Sequence, residues 1–123
     1  RFALPKPGEG PSEATRENGF ANVYVVGTGV SSDLGDASKH KAVAHFTFEN
    51  ADPGYKGTAA LAVEAALCLA LPAERAKTPG SKRGGGVLTP AAALGSTLVD
   101  RINATDVLRL DVKPLAETAF VVR

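Results

Sequence analysis

The chain has 123 residues, enough for one domain that buries about two thirds of the surface its unfolded form exposes. Its 14 basic and 13 acidic residues leave a net charge of +1, which gives no electrostatic case for a nucleic-acid or anionic-membrane partner. The single cysteine, Cys68, excludes an internal disulfide and is expected in the core. The most apolar run, Ala59 to Leu71, is too short to span a bilayer and is interrupted by Glu64.

The first 19 residues predict an extended arm, because prolines and glycines alternate there with charged residues. Aromatic and β-branched residues then predict a strand from Phe20 to Val26, and residues 27–40 read as a loop. A second strand is predicted from Lys41 to Glu49 by its alternation. One face of it carries Ala42, Ala44, Phe46 and Phe48, and the other carries Val43, His45 and Thr47.

Two helices follow, each opened by a capping residue and a proline. The first begins at Asp52-Pro53, ends at Pro72 and is apolar on nearly every side, so we expect it to be buried. Residues 72–86 form a predicted basic, glycine-rich loop. The second helix begins at Thr89-Pro90, and its apolar stripe includes Gly95, which indicates close approach of a neighbouring element. The stripe consists of Ala91, Leu94, Gly95, Leu98 and Ile102.

Strands predicted at Val107–Val112 and Thr118–Val122 complete the chain. The order of elements indicates an α+β fold, with about four strands in a mixed or antiparallel sheet and two helices packed on one face. We therefore expect an extended arm at residues 1–19 and a single domain at residues 20–123.

Glu64 interrupts the apolar run of the first helix, and we expect its carboxylate to be at least partly buried. A buried carboxylate needs a partner or takes up a proton, so it could act as an acid or base at a pocket wall. We favour a structural ion pair with an arginine such as Arg101 or Arg109.

Other candidate sites are weaker. Gly84-Gly85-Gly86 before a capped helix could cradle an anion, but no phosphate-binding motif surrounds it. His40 and His45 lack the neighbouring ligands of a metal site, so His45 is expected at a surface or interface and no metal is expected. The glycosylation pattern at Asn103 is attributed to chance.

Two segments carry a family resemblance: Pro53-Gly54-Tyr55 with the helix through Leu71, and Gly84 to Val99. In this order they resemble the C-terminal part of the saccharopine dehydrogenase-like oxidoreductases, which include the trans-acting enoyl reductases. The resemblance implies that an N-terminal Rossmann domain would bind NAD(P), while a second α+β domain closes the substrate pocket and contributes dimer contacts. The cofactor-binding glycines have no counterpart in this chain, so no cofactor and no catalytic residue are assigned to it.

Three functions remain open. We favour a non-catalytic accessory subunit that binds other proteins of a larger assembly, through the interface candidates Leu67, Leu71, Pro5 and Pro7. The alternatives are the substrate or dimerisation segment of an intact NAD(P)-dependent oxidoreductase, and a small-ligand or lipid-binding module. Candidate structural or pocket residues are Tyr55, Glu64 and Thr89. The expected location is intracellular, or organellar after removal of a targeting segment.

Overall fold

A computed structural model describes residues 8–30 and 39–114, with side chains described for residues 8–29 and 41–114. The strands are β1 (Ala21–Val30), β2 (Lys39–Phe48) and β3 (Leu108–Pro114). The α-helices are α1 (Glu13–Asn18), α2 (Thr58–Ala70), α3 (Pro72–Arg75), α4 (Pro79–Lys82), α5 (Pro90–Leu94) and α6 (Ser96–Asn103), and a π-helical turn, Pro53–Gly57, precedes α2. The fold class is α+β, as predicted.

The three described strands form one antiparallel sheet in the order β1-β2-β3. Phe46 lies opposite Val23 on one side and Leu110 on the other, so these side chains share a sheet face. The hairpin of β1 and β2 is longer than expected, because residues 27–30 and 39–40 extend the strands into the predicted loop. The predicted fourth strand, Thr118–Val122, lies outside the described residues.

The core lies between one end of this sheet and the two longer helices. Phe48, Leu108 and Ile102 are its buried centre. Partly buried side chains from the sheet and from both helices pack against them: Ala21, Phe46, Ala60, Leu61, Leu98 and Val107. The predicted faces therefore place Phe46, Phe48, Leu98 and Ile102 in this core. Two residues depart from the pattern: Ala91 of the predicted stripe is exposed, and Val43, on the other face of β2, is buried.

The prediction that the first helix is buried is wrong for most of its surface. Cys68 is the buried residue of α2, whereas Val63 and Leu69 are 55% and 53% exposed. The helix is apolar on all sides, but the described sheet and α6 cover only one of them. An apolar surface therefore faces outward on α2.

More helical segments are present than the two predicted. The expected basic loop contains α3 and α4, each beginning at a proline, and Thr78 Oγ1 accepts a hydrogen bond from Ser81 N at 3.2 Å. The expected extended arm contains α1, because Ser12 caps it by accepting from Thr15 N at 3.2 Å. All three helices begin at a capping side chain or at a proline, which suits the first helical position.

The predicted second helix is divided at Gly95. Its φ of 54° and ψ of −139° end α5 and begin α6, a conformation that side-chain-bearing residues rarely adopt. A Cβ atom at Gly95 would lie 2.8 Å from Pro79 Cγ. The expected close approach is therefore confirmed, and α4 is the neighbouring element.

Gly95→Ala should lower the free energy of unfolding by about 2–4 kcal/mol, because the methyl group adds backbone strain and a clash with Pro79. Urea unfolding followed by circular dichroism measures this loss. Gly27→Ala is the control, since a Cβ atom there meets nothing within 4 Å. Equal losses for both variants would contradict the assignment.

Candidate functional site

The main concentration of charged side chains lies between α2, α3 and α6. A cavity of about 260 Å³ opens there, lined by Glu74, Lys77, Thr97, Asp100, Arg101 and Ala104. Of these lining residues, Arg101 forms an ion pair in which its Nη2 lies 2.7 Å from Glu64 Oε2. The Glu64 and Arg101 side chains are only 15% and 22% exposed, so this ion pair is largely removed from water.

The ion pair shows which of its two predicted partners Glu64 contacts. Arg101 binds the carboxylate, while Arg109 is exposed on β3 and donates from Nη1 to the Asn103 carbonyl oxygen at 3.2 Å. Each charge of the pair is compensated by the other where little water reaches them. Glu64 therefore joins α2 to α6.

The Arg101 guanidinium is not fully satisfied. Its Nε atom is buried and has no hydrogen-bond partner among the described residues. An unpaired buried donor costs roughly 1–3 kcal/mol. The ion pair with Glu64 offsets part of that cost. Loss of either side chain should therefore lower the stability of the fold.

A second ion pair lines the cavity, and a thiol lies close to the first pair. Lys77 Nζ pairs with Glu74 Oε1 at 3.0 Å. The Cys68 thiol is fully buried, and burial raises its pKa, so it remains protonated. In the described part of the chain, no group of three His, Cys, Asp or Glu side chains is placed to hold a metal ion.

The other two predicted pocket residues are Tyr55 and Thr89. Neither lines this cavity, and both make contacts within their own part of the chain. The Tyr55 ring is about half exposed and lies beside Gly10. Thr89 Oγ1 accepts from Ala92 N at 3.4 Å and so caps α5. The structure does not bring these residues together with Glu64 around one pocket.

Two of the four predicted interface residues, Leu67 and Leu71, lie within the described residues. Leu67 is half-buried on α2, and Leu71, directly after that helix, is exposed. Pro5 and Pro7 lie outside the described residues.

The π-helical turn that precedes α2 begins at Asp52 and Pro53, where the sequence predicts the first helix to begin. Asp52 accepts from Tyr55 N at 2.7 Å and from Lys56 N at 3.1 Å. Burial acts to raise the pKa of Asp52, but these backbone N–H groups, with that of Gly54, hold the pKa below its usual value. Lys56, in the same turn, pairs through Nζ with Glu17 and donates to the Asn50 carbonyl oxygen at 3.0 Å.

The sheet face opposite the helices carries a polar cluster around His45. Its ring stacks on Tyr24 with 4.3 Å between centroids. His45 Nε2 lies 2.8 Å from Asn22 Oδ1 and 3.1 Å from Thr47 Oγ1. These contacts hold the half-buried His45 ring on the sheet. The side chain of His40 lies outside the described residues.

Asn103 has a role that the sequence did not reveal. Its Nδ2 donates to the Leu110 carbonyl oxygen at 3.0 Å, and its Oδ1 accepts from Leu110 N at 2.7 Å. The side-chain amide thus pairs with β3 as a neighbouring strand would. Glycan attachment to Nδ2 would remove this contact, which agrees with the interpretation of the glycosylation pattern as chance.

Asn103→Ala should lower the free energy of unfolding by about 1–3 kcal/mol, because both backbone groups of Leu110 lose their partner. Thermal unfolding measures the change. Ser96→Ala, at an exposed position of the same helix, should cost less than about 0.5 kcal/mol. Hydrogen exchange at the Leu110 amide should accelerate in the first variant alone, and unchanged exchange would contradict the role.

Gly84, Gly85 and Gly86 all have positive φ values, from 86° to 133°. A Cβ atom at any of the three would meet nothing within 4 Å, so backbone conformation rather than packing explains the glycines.

Among the described residues, no helix combines the length and the apolar character needed to cross a bilayer.

Comparison with known proteins adds the family context. Over 104 residues, 85% of the chain, it is 40% identical to a Mycobacterium tuberculosis protein provisionally named as a trans-acting enoyl reductase. It is 36% and 38% identical over the same length to proteins named trans-acting enoyl reductase from Mycobacterium bovis and Mycobacterium ulcerans. The matched region spans only about 22% of the length of these relatives.

No protein-family profile matches the chain, and no solved structure matches it. The homologues therefore confirm the resemblance to trans-acting enoyl reductases. The broader saccharopine dehydrogenase-like assignment and the C-terminal position of the match stay predictions.

Proposed function

We propose that this chain is a non-catalytic packing and interaction segment of an oxidoreductase of the trans-acting enoyl reductase type. The homology supports the type of protein, and the short share of the relatives' length supports a partial role. The observation that carries the proposal is an outward-facing apolar surface on α2. It is formed by Val63 and Leu69 and continues to Leu71, directly after the helix. Contiguous exposed apolar surface generally marks a contact with another protein element.

The strand arrangement and the ion pairs of the described residues support the non-catalytic part of the proposal. Reduction of an enoyl group needs a hydride donor, and nicotinamide dinucleotides are typically held by a glycine-rich turn in a parallel βαβ unit. The described strands are all antiparallel. Two ion pairs lie at the cavity, Glu64 with Arg101 and Glu74 with Lys77.

Calorimetric titration of the isolated chain with NADH and with NADPH tests this part. We expect no heat of binding for either cofactor, because the phosphate-binding turn and the acidic ribose contact would have to come from another segment. Micromolar binding of either would overturn the proposal that the chain contributes no cofactor site.

A graft tests the packing role. The matching 104 residues of the Mycobacterium tuberculosis relative would be replaced by those of this chain, and Val63→Glu or Leu69→Glu introduced. In the isolated chain these changes should cost less than about 0.5 kcal/mol, since both positions are exposed. In the graft they should lower the melting temperature and the enoyl reductase activity. Ser96→Glu, also exposed, is the matched control.

Equal tolerance of all three substitutions in the graft would contradict a packing role for α2.

An accessory subunit bound to a separate polypeptide would use the same apolar surface. Native mass spectrometry distinguishes the two alternatives. A single polypeptide of the relatives' length would support a segment of a longer oxidoreductase, and a second polypeptide bound in a fixed ratio would support a separate accessory subunit. The charged lining of the cavity beside Arg101 does not favour the lipid-binding alternative.

A further inference from the structure

We propose that the cavity beside the Glu64–Arg101 ion pair is a binding site for a basic group that carries N–H donors, such as an ammonium or a guanidinium. Its volume of about 260 Å³ is far more than a single water molecule needs, so a group of several heavy atoms fits. The inference does not rest on the proposed packing role, because a different surface carries it and it can be tested on the chain alone.

Most of the cavity wall comes from one face of α6. Residues three, four and seven positions apart lie on the same side of a helix. The lining residues that share this spacing are Thr97, Asp100, Arg101 and Ala104, which is the C-cap of α6. Glu74 of α3 and Lys77, which follows that helix, form the facing wall. The polar groups of the site are therefore positioned by helices.

Thr97 provides the observation that points to a ligand. The residue is only 5% exposed, yet it lines the cavity. Its hydroxyl has no hydrogen-bond partner in the described part of the chain. Burial of a hydroxyl without a partner is unfavourable, because the hydrogen bonds it makes with water in the unfolded chain are lost. A ligand that carries N–H groups would restore one of these bonds, since the Thr97 oxygen can accept.

The charges around the cavity select a cation over an anion. Arg101 is held by Glu64 at 2.7 Å and Lys77 by Glu74 at 3.0 Å, so each of these positive charges is matched by a negative one. Asp100 is exposed and forms no ion pair with the other described residues. Its carboxylate is therefore the one unmatched charge of this group, and it favours a positively charged ligand.

The two free acceptors lie close enough to act on one ligand. Thr97 and Asp100 are three residues apart on α6, which puts their Cβ atoms about 5–6 Å apart. A single ammonium or guanidinium can donate to both oxygens from between them. The bond to the carboxylate is charge-assisted and is the stronger of the two.

Titration of the chain with methylguanidinium, followed by NMR of its backbone amides at low and constant ionic strength, tests the site. The amides of Thr97, Asp100 and Arg101 should shift in a saturable way, with a Kd on the order of millimolar. Tetramethylammonium has the same charge but no N–H donor, so it should not produce these shifts. Acetate should not produce them either, because the unmatched charge of the site is negative.

Substitutions identify the two acceptors. Asp100→Asn should weaken methylguanidinium binding about tenfold and Thr97→Val about threefold, because each removes one hydrogen-bond acceptor from the ligand. Asp106→Asn is the matched control for charge, since Asp106 is exposed and does not line this cavity, and it should leave the Kd unchanged. Circular dichroism shows whether each variant is folded.

The same titration on the graft into the Mycobacterium tuberculosis relative separates two sources of the basic group. A lysine or arginine side chain of the longer polypeptide that fills the cavity would prevent methylguanidinium from binding to the graft. A free small molecule as the natural ligand would leave the cavity of the graft open to the probe. Binding to the isolated chain is expected in both cases.

Three results would overturn the proposal. The first is the absence of saturable shifts at these amides when methylguanidinium is well above the millimolar range. The second is an equal response to tetramethylammonium, and the third is equal weakening by Asp100→Asn and Asp106→Asn. Either of the last two would show that the cation associates with the surface charge in general.

Discussion

Arg101→Ala should lower the free energy of unfolding by about 2–4 kcal/mol, among the largest effects expected for a charged residue in this chain. The substitution leaves the Glu64 carboxylate without its partner in a site that is only 15% exposed. Removing one member of a buried ion pair costs far more than removing both, because the remaining charge stays desolvated. Urea unfolding at neutral pH measures the loss.

The double variant Glu64→Leu/Arg101→Met is the control for this prediction. It removes both charges and the unpaired Nε atom of Arg101 while keeping side-chain volume, so its stability should return close to that of the wild type. Arg109→Ala, on the exposed arginine that Glu64 does not contact, should cost less than about 1 kcal/mol. Similar losses for Arg101→Ala and Arg109→Ala would show that the ion pair contributes little.

Leu108→Ala should destabilise the chain by about 2–5 kcal/mol. Leu108 is 1% exposed and sits with Phe48 and Ile102 at the centre of the core, so truncation leaves a cavity between β3 and the helices. Val112→Ala is the matched control, because it lies four residues along the same face of the same strand and is 61% exposed. It should cost less than about 0.5 kcal/mol.

Thermal and chemical unfolding of the two variants measure the difference. A loss at Val112 comparable to that at Leu108 would mean that the far end of the sheet is covered as well. In that case the helix layer would not be confined to one end, and the packing of the core would have to be redrawn.

Local patterns predicted the elements that depend on neighbouring residues. The alternation of β2 identified Phe46 and Phe48 as core-facing, and the Asp52 and Thr89 caps marked two helix starts. Gly95 was singled out because an apolar helical stripe rarely accommodates glycine. Composition did not reveal α3, α4 or α1, because short helices depend on single caps and prolines rather than on periodicity.

Local sequence was enough to predict the α+β class, the burial of Cys68 and a basic partner for Glu64, because strand alternation, helix periodicity and the cost of a buried charge are visible in it. The choice of Arg101 as that partner, the pairing of Asn103 with β3 and the exposure of one side of α2 result from three-dimensional packing. Those outcomes depend on which elements stack and in what register, and no short-range pattern encodes the distance between segments separated by tens of residues.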